Sequence, residues 1–211
     1  MKKTSQKGID LKVEFGRNKV IPLKYEKVIL RALAHYPELK DVSIEFRLMN
    51  KSVAPYGSKP TFNSFFRRPE KRTYIVGILE KAKFPTNEAL LKNLPENAQE
   101  GAIGHELAHI VQFHSRNSLR LIRMALLYTI PKIKKRIERS ADLRTINHGL
   151  GKQLREHALF IRKIPGYVEK RKEINRNYLK PYEIAELLRK DRAPGAKKIT
   201  RKKRKSQRSP R

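Results

Sequence analysis

The sequence predicts an α+β fold, in which a small antiparallel or mixed sheet packs on two helices that carry the chemistry. Three observations lead there. Val42 to Leu48 and Thr73 to Glu80 read as strands, both in the first half of the chain. From Pro95 onward apolar residues recur with helical spacing in one segment after another. The chain has 211 residues, enough for one domain with a sizeable core. We expect that domain over residues 1–191, followed by a basic, disordered tail over 192–211.

Residues 1–10 are polar and read as loose. Leu11 to Pro22 alternates weakly around Gly16-Arg17-Asn18, the pattern of a short hairpin. Lys24 to Tyr36 is helical, with Val28, Ile29, Ala32 and Leu33 on one stripe, and Pro37 ends it. Val42, Ile44, Phe46 and Leu48 share one face of the first strand. Residues 52–68 form a loop marked by Pro55, Gly57 and Pro60. Its aromatics Tyr56, Phe62, Phe65 and Phe66 could line a groove, but folding back onto the core is the commoner outcome. Gly77, inside the second strand, signals a bulge or a close backbone approach.

A short helix over Pro85 to Leu94 leads to a longer one over Pro95 to His114, whose apolar residues fall on two stripes. A helix used on both faces belongs in a core. Leu119 to Ile130 is the most apolar stretch; it is too short to span a bilayer and contains Arg120 and Arg123. It could lie against a membrane surface, but we expect a buried amphipathic helix that links the two halves of the site. Pro131 suits the first turn of the next helix, which runs to about Asn147 and stops at Gly149 and Gly151. Two more helices follow, over Lys152 to Lys163 and Pro181 to Lys190.

The Pro95–His114 helix carries Gly104-His105-Glu106-Leu107-Ala108-His109-Ile110, a His-Glu-x-x-His motif. His105 and His109 are one turn apart and project from the same face, where two imidazoles can share one zinc ion. Glu106 sits about 100° around the helix from His105, placed to act as general base on a water that the ion activates. The competing reading is a solvated helix that happens to carry these residues. The small and apolar flanks Ala102, Ile103, Leu107, Ala108, Ile110 and Val111 count against it.

A catalytic zinc takes a third protein ligand. In the metzincin pattern a Gly stands seven residues after the first His and a third His ten after it; here those positions are Gln112 and Ser115. His114 is one residue out of place and lies on the core stripe. The alternative is a Glu from a second helix, and Glu138-Arg139-Ser140-Ala141-Asp142 supplies one. Glu138 and Asp142 are four apart and face the same way. Glu138 can bind the ion, and Asp142 can accept a hydrogen bond from the far nitrogen of a ligand His.

Net charge is +30, from 50 basic and 20 acidic residues. Ten of the basic residues lie in 192–211, so the rest of the chain is basic in its own right. Such a surface could contact a polyanion, nucleic acid or an anionic membrane, through its basic face and tail. A self-repelling solvated surface is as good an account of the charge. With no Cys, disulfides and thiolate ligands are excluded. The basic start, Met1 to Lys7, is followed by no apolar run, so no signal peptide, no transmembrane segment and a soluble, cytoplasmic protein are expected.

His-Glu-x-x-His on one helix and Glu-x-x-x-Asp on the next resemble the gluzincin metallopeptidases. The Glu-x-x-Ala-Asp form is similar to the HtpX-type peptidases and the small soluble minigluzincins, over about Val42 to Gly149. The resemblance implies a zincin-like fold and a zinc-dependent endopeptidase acting on a protein or peptide, with one Zn2+ per chain. It makes His105, His109 and Glu138 the metal ligands, Glu106 the catalytic base and Asp142 the hydrogen-bond partner behind a ligand. Members of the minigluzincin group can be latent zymogens, so the resemblance allows a latent chain. His148, Tyr128 and several Arg are candidates for stabilising the transition state. Tyr74, Ile75, Val76 and Gly77, on the strand shortly before the motif helix, are the candidate rim where an extended peptide adds as a strand. Two other readings are a protease associated with nucleic acid and a non-catalytic basic binding protein.

Overall fold

A computed structural model describes residues 11–51, 54–82, 86–167 and 171–191. The loose start and the basic tail expected from the sequence lie outside the described residues. Four strands form one mixed sheet: β1 (Lys19–Val20), β2 (Ser43–Met49), β3 (Tyr56–Pro60) and β4 (Thr73–Leu79), in the order β1-β2-β4-β3. β1 and β2 run parallel, as do β2 and β4, while β3 is antiparallel to β4. Around the sheet stand α1 (Glu26–Leu33), α2 (Glu96–His114), α3 (Ser118–Leu127), α4 (Pro131–Thr145), α5 (Gly151–Lys163), α6 (Arg171–Asn177) and α7 (Pro181–Lys190). No helix among the described residues is long and apolar enough to cross a membrane.

The main core joins the sheet to α1 and α2, with Ile29, Leu33, Ile44, Phe46, Val76 and Leu107 among its members. α2 is its axis, as its two apolar stripes predict: every residue from Glu100 to Ile110 is buried. Tyr36, fully buried after α1, locks α2 to α4. Its hydroxyl donates to the Gly104 carbonyl at 2.6 Å and lies 3.4 Å from Thr145 Oγ1. Against another side of α2 packs α5. They approach so closely that a Cβ on Gly101 would lie 2.3 Å from the Gln153 carbonyl oxygen. Between α4 and α5 the chain kinks through Ile146–Leu150, with Gly149 at φ 85°, a left-handed conformation that glycine adopts without strain. Ion pairs fasten the last helices to α4: Lys134 to Glu173 at 2.9 Å, and Arg139 to Glu183.

Several expectations are corrected. Leu11 to Pro22 is no hairpin. Residues 11–15 make a helical turn, and β1 pairs parallel to β2. The Gly16-Arg17-Asn18 turn, with Asn18 at φ 59°, therefore joins a helical turn to a strand. The loop at 52–68 contains β3. Of its aromatics only Tyr56 and Phe65 turn inward, and Phe62 and Phe66 are exposed. The short helix before α2 is instead two 3-10 turns, Thr86–Ala89 and Leu91–Asn93. α3 is a helix as expected, but it is not buried: Leu121 alone of its side chains is. β4 has no bulge at Gly77; the close-approach reading holds, because a Cβ there would meet Met49 Sδ at 2.4 Å.

The α2–α5 contact gives a direct test. Gly101→Ala must push two backbones apart and should destabilise the fold by about 1–3 kcal/mol in urea unfolding. Gly57→Ala, where nothing lies within 4 Å of the new methyl, should stay within about 0.5 kcal/mol of wild type.

Candidate metal centre

α2 and α4 bring the predicted ligands together because each presents its polar pair at a spacing of four residues. His105 Nε2 and His109 Nε2 lie 3.1 Å apart. Glu138 Oε2 is 3.2 Å from the first and 3.3 Å from the second. All three side chains are buried. Among the described residues this is the group of His and acidic side chains whose donor atoms converge enough to hold a metal. Zinc bonds of about 2.0–2.1 Å in a tetrahedral shell place ligand atoms about 3.3 Å apart. The observed triangle matches that spacing, so the donor set fits zinc.

The surroundings fix each ligand. His105 Nδ1 donates to Asp142 Oδ1 at 2.9 Å, which turns its Nε2 toward the other two ligands. Asp142 Oδ2 accepts the Leu179 backbone N–H at 2.7 Å, so the stretch before α7 holds the carboxylate in turn. The Tyr128 hydroxyl donates to Glu138 Oε1, leaving Oε2 for the histidines. His109 Nδ1 is buried without a partner among the described residues. Its ring is set by stacking on Phe113, at 6.0 Å between centroids.

The electrostatics favour a cation. Burial would lower the His105 pKa, but hydrogen bonds and charges from Asp142 and Glu138 outweigh it and raise the pKa well above the usual histidine range. Burial would raise the Glu138 pKa, and the two histidines outweigh that and hold it far below the usual carboxylate range. The carboxylates thus stabilise positive charge between them, and a divalent ion competes with the proton for that place.

Glu106 is buried beside His105, on the wall of a cavity of about 820 Å³. β3, α3, α4 and α5 supply much of the rest of the wall, with residues of α6, α7 and the stretch between them. The rim predicted at Tyr74, Ile75, Val76 and Gly77 is corrected. β4 is paired on both edges, by β2 and β3, and has no edge to offer. β3 is the edge strand, and Ser58 ties it to the motif helix by donating to the Glu106 carbonyl at 3.2 Å. His148, a sequence candidate, lies away from the cavity. It stacks on Tyr36 at 4.3 Å, with Nε2 2.8 Å from Glu38 Oε1. Tyr128 does line the cavity, as does Arg162.

Tyr56, one of the loop aromatics that could line a groove, is on the wall; sequence reasoning missed two further wall residues, His157 and Tyr178. Tyr56 and His157 share a hydrogen bond across the cavity. Burial pushes the His157 pKa down to about 3, aided by His105 and Arg162, so this imidazole is neutral. Burial, with a contribution from Glu106, raises the Tyr56 pKa well above its usual value. The Tyr178 ring lies 5.7 Å from that of His105. No fixed spacing links His157 or Tyr178 to the motif, so no local signal could have found them.

A His-His-Glu donor set split between two adjacent helices, with an Asp behind the first His, defines a metallopeptidase centre of the gluzincin type. The profile of peptidase family M48 matches residues 43–166, more than half of the chain, and takes in both helices. The chain belongs to that family of zinc metallopeptidases. No curated protein and no solved structure was found to match it.

Glu138→Ala should abolish zinc binding, measured as metal content after dialysis. Asp142→Asn keeps an acceptor but loses the charge. Its zinc affinity should fall about 10- to 100-fold in a chelator competition, with the helical circular dichroism unchanged.

Proposed function

We propose that the chain is a zinc-dependent endopeptidase that binds one Zn2+ through His105, His109 and Glu138 and uses Glu106 as its general base. The convergence of those three donor atoms in a buried place on the wall of a large cavity carries the reading. Held there, zinc supplies the Lewis acidity that acidifies a water and polarises a peptide carbonyl. Glu106 takes the proton from the attacking water and delivers it to the leaving amine. Asp142 keeps the proton of His105 on Nδ1, and Tyr128 keeps one oxygen of Glu138 occupied. The Tyr56–His157 pair is neutral and close enough to Glu106 to feel its charge. A neutral donor suits the oxygen on which negative charge develops, and we assign that role to the pair.

The substrate chain lies along β3, whose outer edge carries no strand partner among the described residues. An edge strand lets a peptide run past the site in both directions, as internal cleavage requires. Nucleic-acid association rests on bulk charge alone and is not carried forward.

Glu106→Gln should retain one zinc per chain and lose about 10²- to 10⁴-fold in kcat on an unfolded protein substrate. Activity equal to wild type would remove Glu106 from the mechanism. Tyr56→Phe should lower kcat more than it raises KM; the reverse pattern would make Tyr56 a binding residue only.

A further inference from the structure

α3 has an apolar face that nothing in the described structure covers. Leu121, Met124 and Ala125 look inward and line the cavity. Leu119, Ile122 and Leu126, spaced i, i+3 and i+7, share the opposite side. Leu119 is 74% exposed and Leu126 70%. A helix that is apolar on both sides is ordinarily enclosed. The loop at 62–68 adds two more large side chains, Phe62 at 87% and Phe66 at 73% exposed. Hydrogen bonds tie the loop to the start of the helix. Ser118 Oγ, at the start of α3, donates to the Phe65 carbonyl at 3.0 Å. The buried guanidinium of Arg72 donates to the Arg67 carbonyl, the Arg116 carbonyl and Ser118 Oγ.

The chemistry around this patch selects its occupant. Exposed Arg67, Arg68, Arg120 and Arg123 lie on the same two segments, and exposed Lys132 and Lys135 follow at the start of α4. No Asp or Glu occurs between Ser115 and Ile137. Aliphatic and aromatic side chains bordered by Arg and Lys match the boundary between acyl chains and acidic headgroups. A second copy is a poor fit, because a two-fold contact would bring the same Arg and Lys rows together on chains of net charge +30. Nucleic acid is also a poor fit, since Leu and Ile offer its phosphates and base edges nothing. We propose that α3 and the 62–68 loop are an interfacial face that seats the protein on an anionic lipid bilayer, with the cavity wall directly behind it.

The test uses the full chain and vesicles, and it reads neither zinc nor proteolysis, so its failure is separate from failure of the peptidase reading. The chain contains no Trp. Leu126→Trp therefore adds a single tryptophan on the exposed stripe of α3. With phosphatidylcholine vesicles containing about 30% phosphatidylserine at about 150 mM salt, its emission should shift to the blue and be quenched by brominated acyl chains. Phosphatidylcholine alone should give little shift. L119Q/L126Q leaves the net charge and the basic tail untouched, and should weaken sedimentation with the anionic vesicles at least about tenfold at unchanged thermal stability. Equal sedimentation of wild type and L119Q/L126Q, or no blue shift for Leu126→Trp, would overturn the proposal and leave adsorption by bulk charge. A wild-type dimer that L119Q/L126Q dissociates in analytical ultracentrifugation would overturn it in favour of a second copy.

Discussion

Burying His105, His109, Glu138 and Asp142 together costs desolvation energy that only a shared positive charge offsets well. That demand organises the rest of the molecule. Two helices must cross at one height, with donor atoms 3.1–3.3 Å apart, and neither may rotate. Tyr36 meets this by bonding to Gly104 on α2 while lying beside Thr145 on α4. Gly101 and Gly104 meet it by omission, since a side chain at either would drive its neighbours away. The sheet and α1 supply the apolar mass that keeps α2 buried on every side. The stretch before α7 closes the arrangement through the Leu179 N–H on Asp142.

The charge of the chain is sorted by depth. With 50 basic and 20 acidic residues the exterior field is strongly positive. Yet Glu106, Glu138 and Asp142 are gathered, buried, at one cavity. A divalent cation is repelled at a distance, but salt screens that field within about 10 Å. What decides capture is local: two carboxylates that already raise the proton affinity of His105. The overall charge and the metal site are thus compatible, because they act over different distances.

The metal helices were legible because their signals are local. Four-residue spacings in His105–His109 and Glu138–Asp142, Pro131 at a helix start and apolar flanks all act within one or two turns. The edge strand was not. Tyr56-Gly57-Ser58-Lys59-Pro60 holds two breakers and no alternation, and it is a strand only because β4 pairs with it. The misplaced rim has the same origin. Tyr74 to Leu79 is buried throughout, and an unbroken apolar run marks a strand covered on both faces inside the sheet. His157 and Tyr178 reach the cavity through the stacking of whole helices, which no spacing encodes. α3 misled for another reason. Apolar content predicts burial only where the protein itself supplies the cover.

That last failure bears on how the molecule works. α3 is a single layer of helix with the cavity on one side and an unmet apolar stripe on the other. Leu121 and Met124 belong to the same turns as Ile122 and Leu126, and Tyr128, which closes α3, bonds to the ligand Glu138. Anything that shifts α3 therefore reaches both faces. Under the docking proposal, a bilayer that holds the outer face fixes the inner one, and a substrate that displaces the inner face disturbs the outer. Linkage makes that coupling reciprocal, so a chain that fills the cavity must change affinity for the bilayer by the factor that the bilayer changes affinity for it. A wall one helix thick cannot keep its two sides independent.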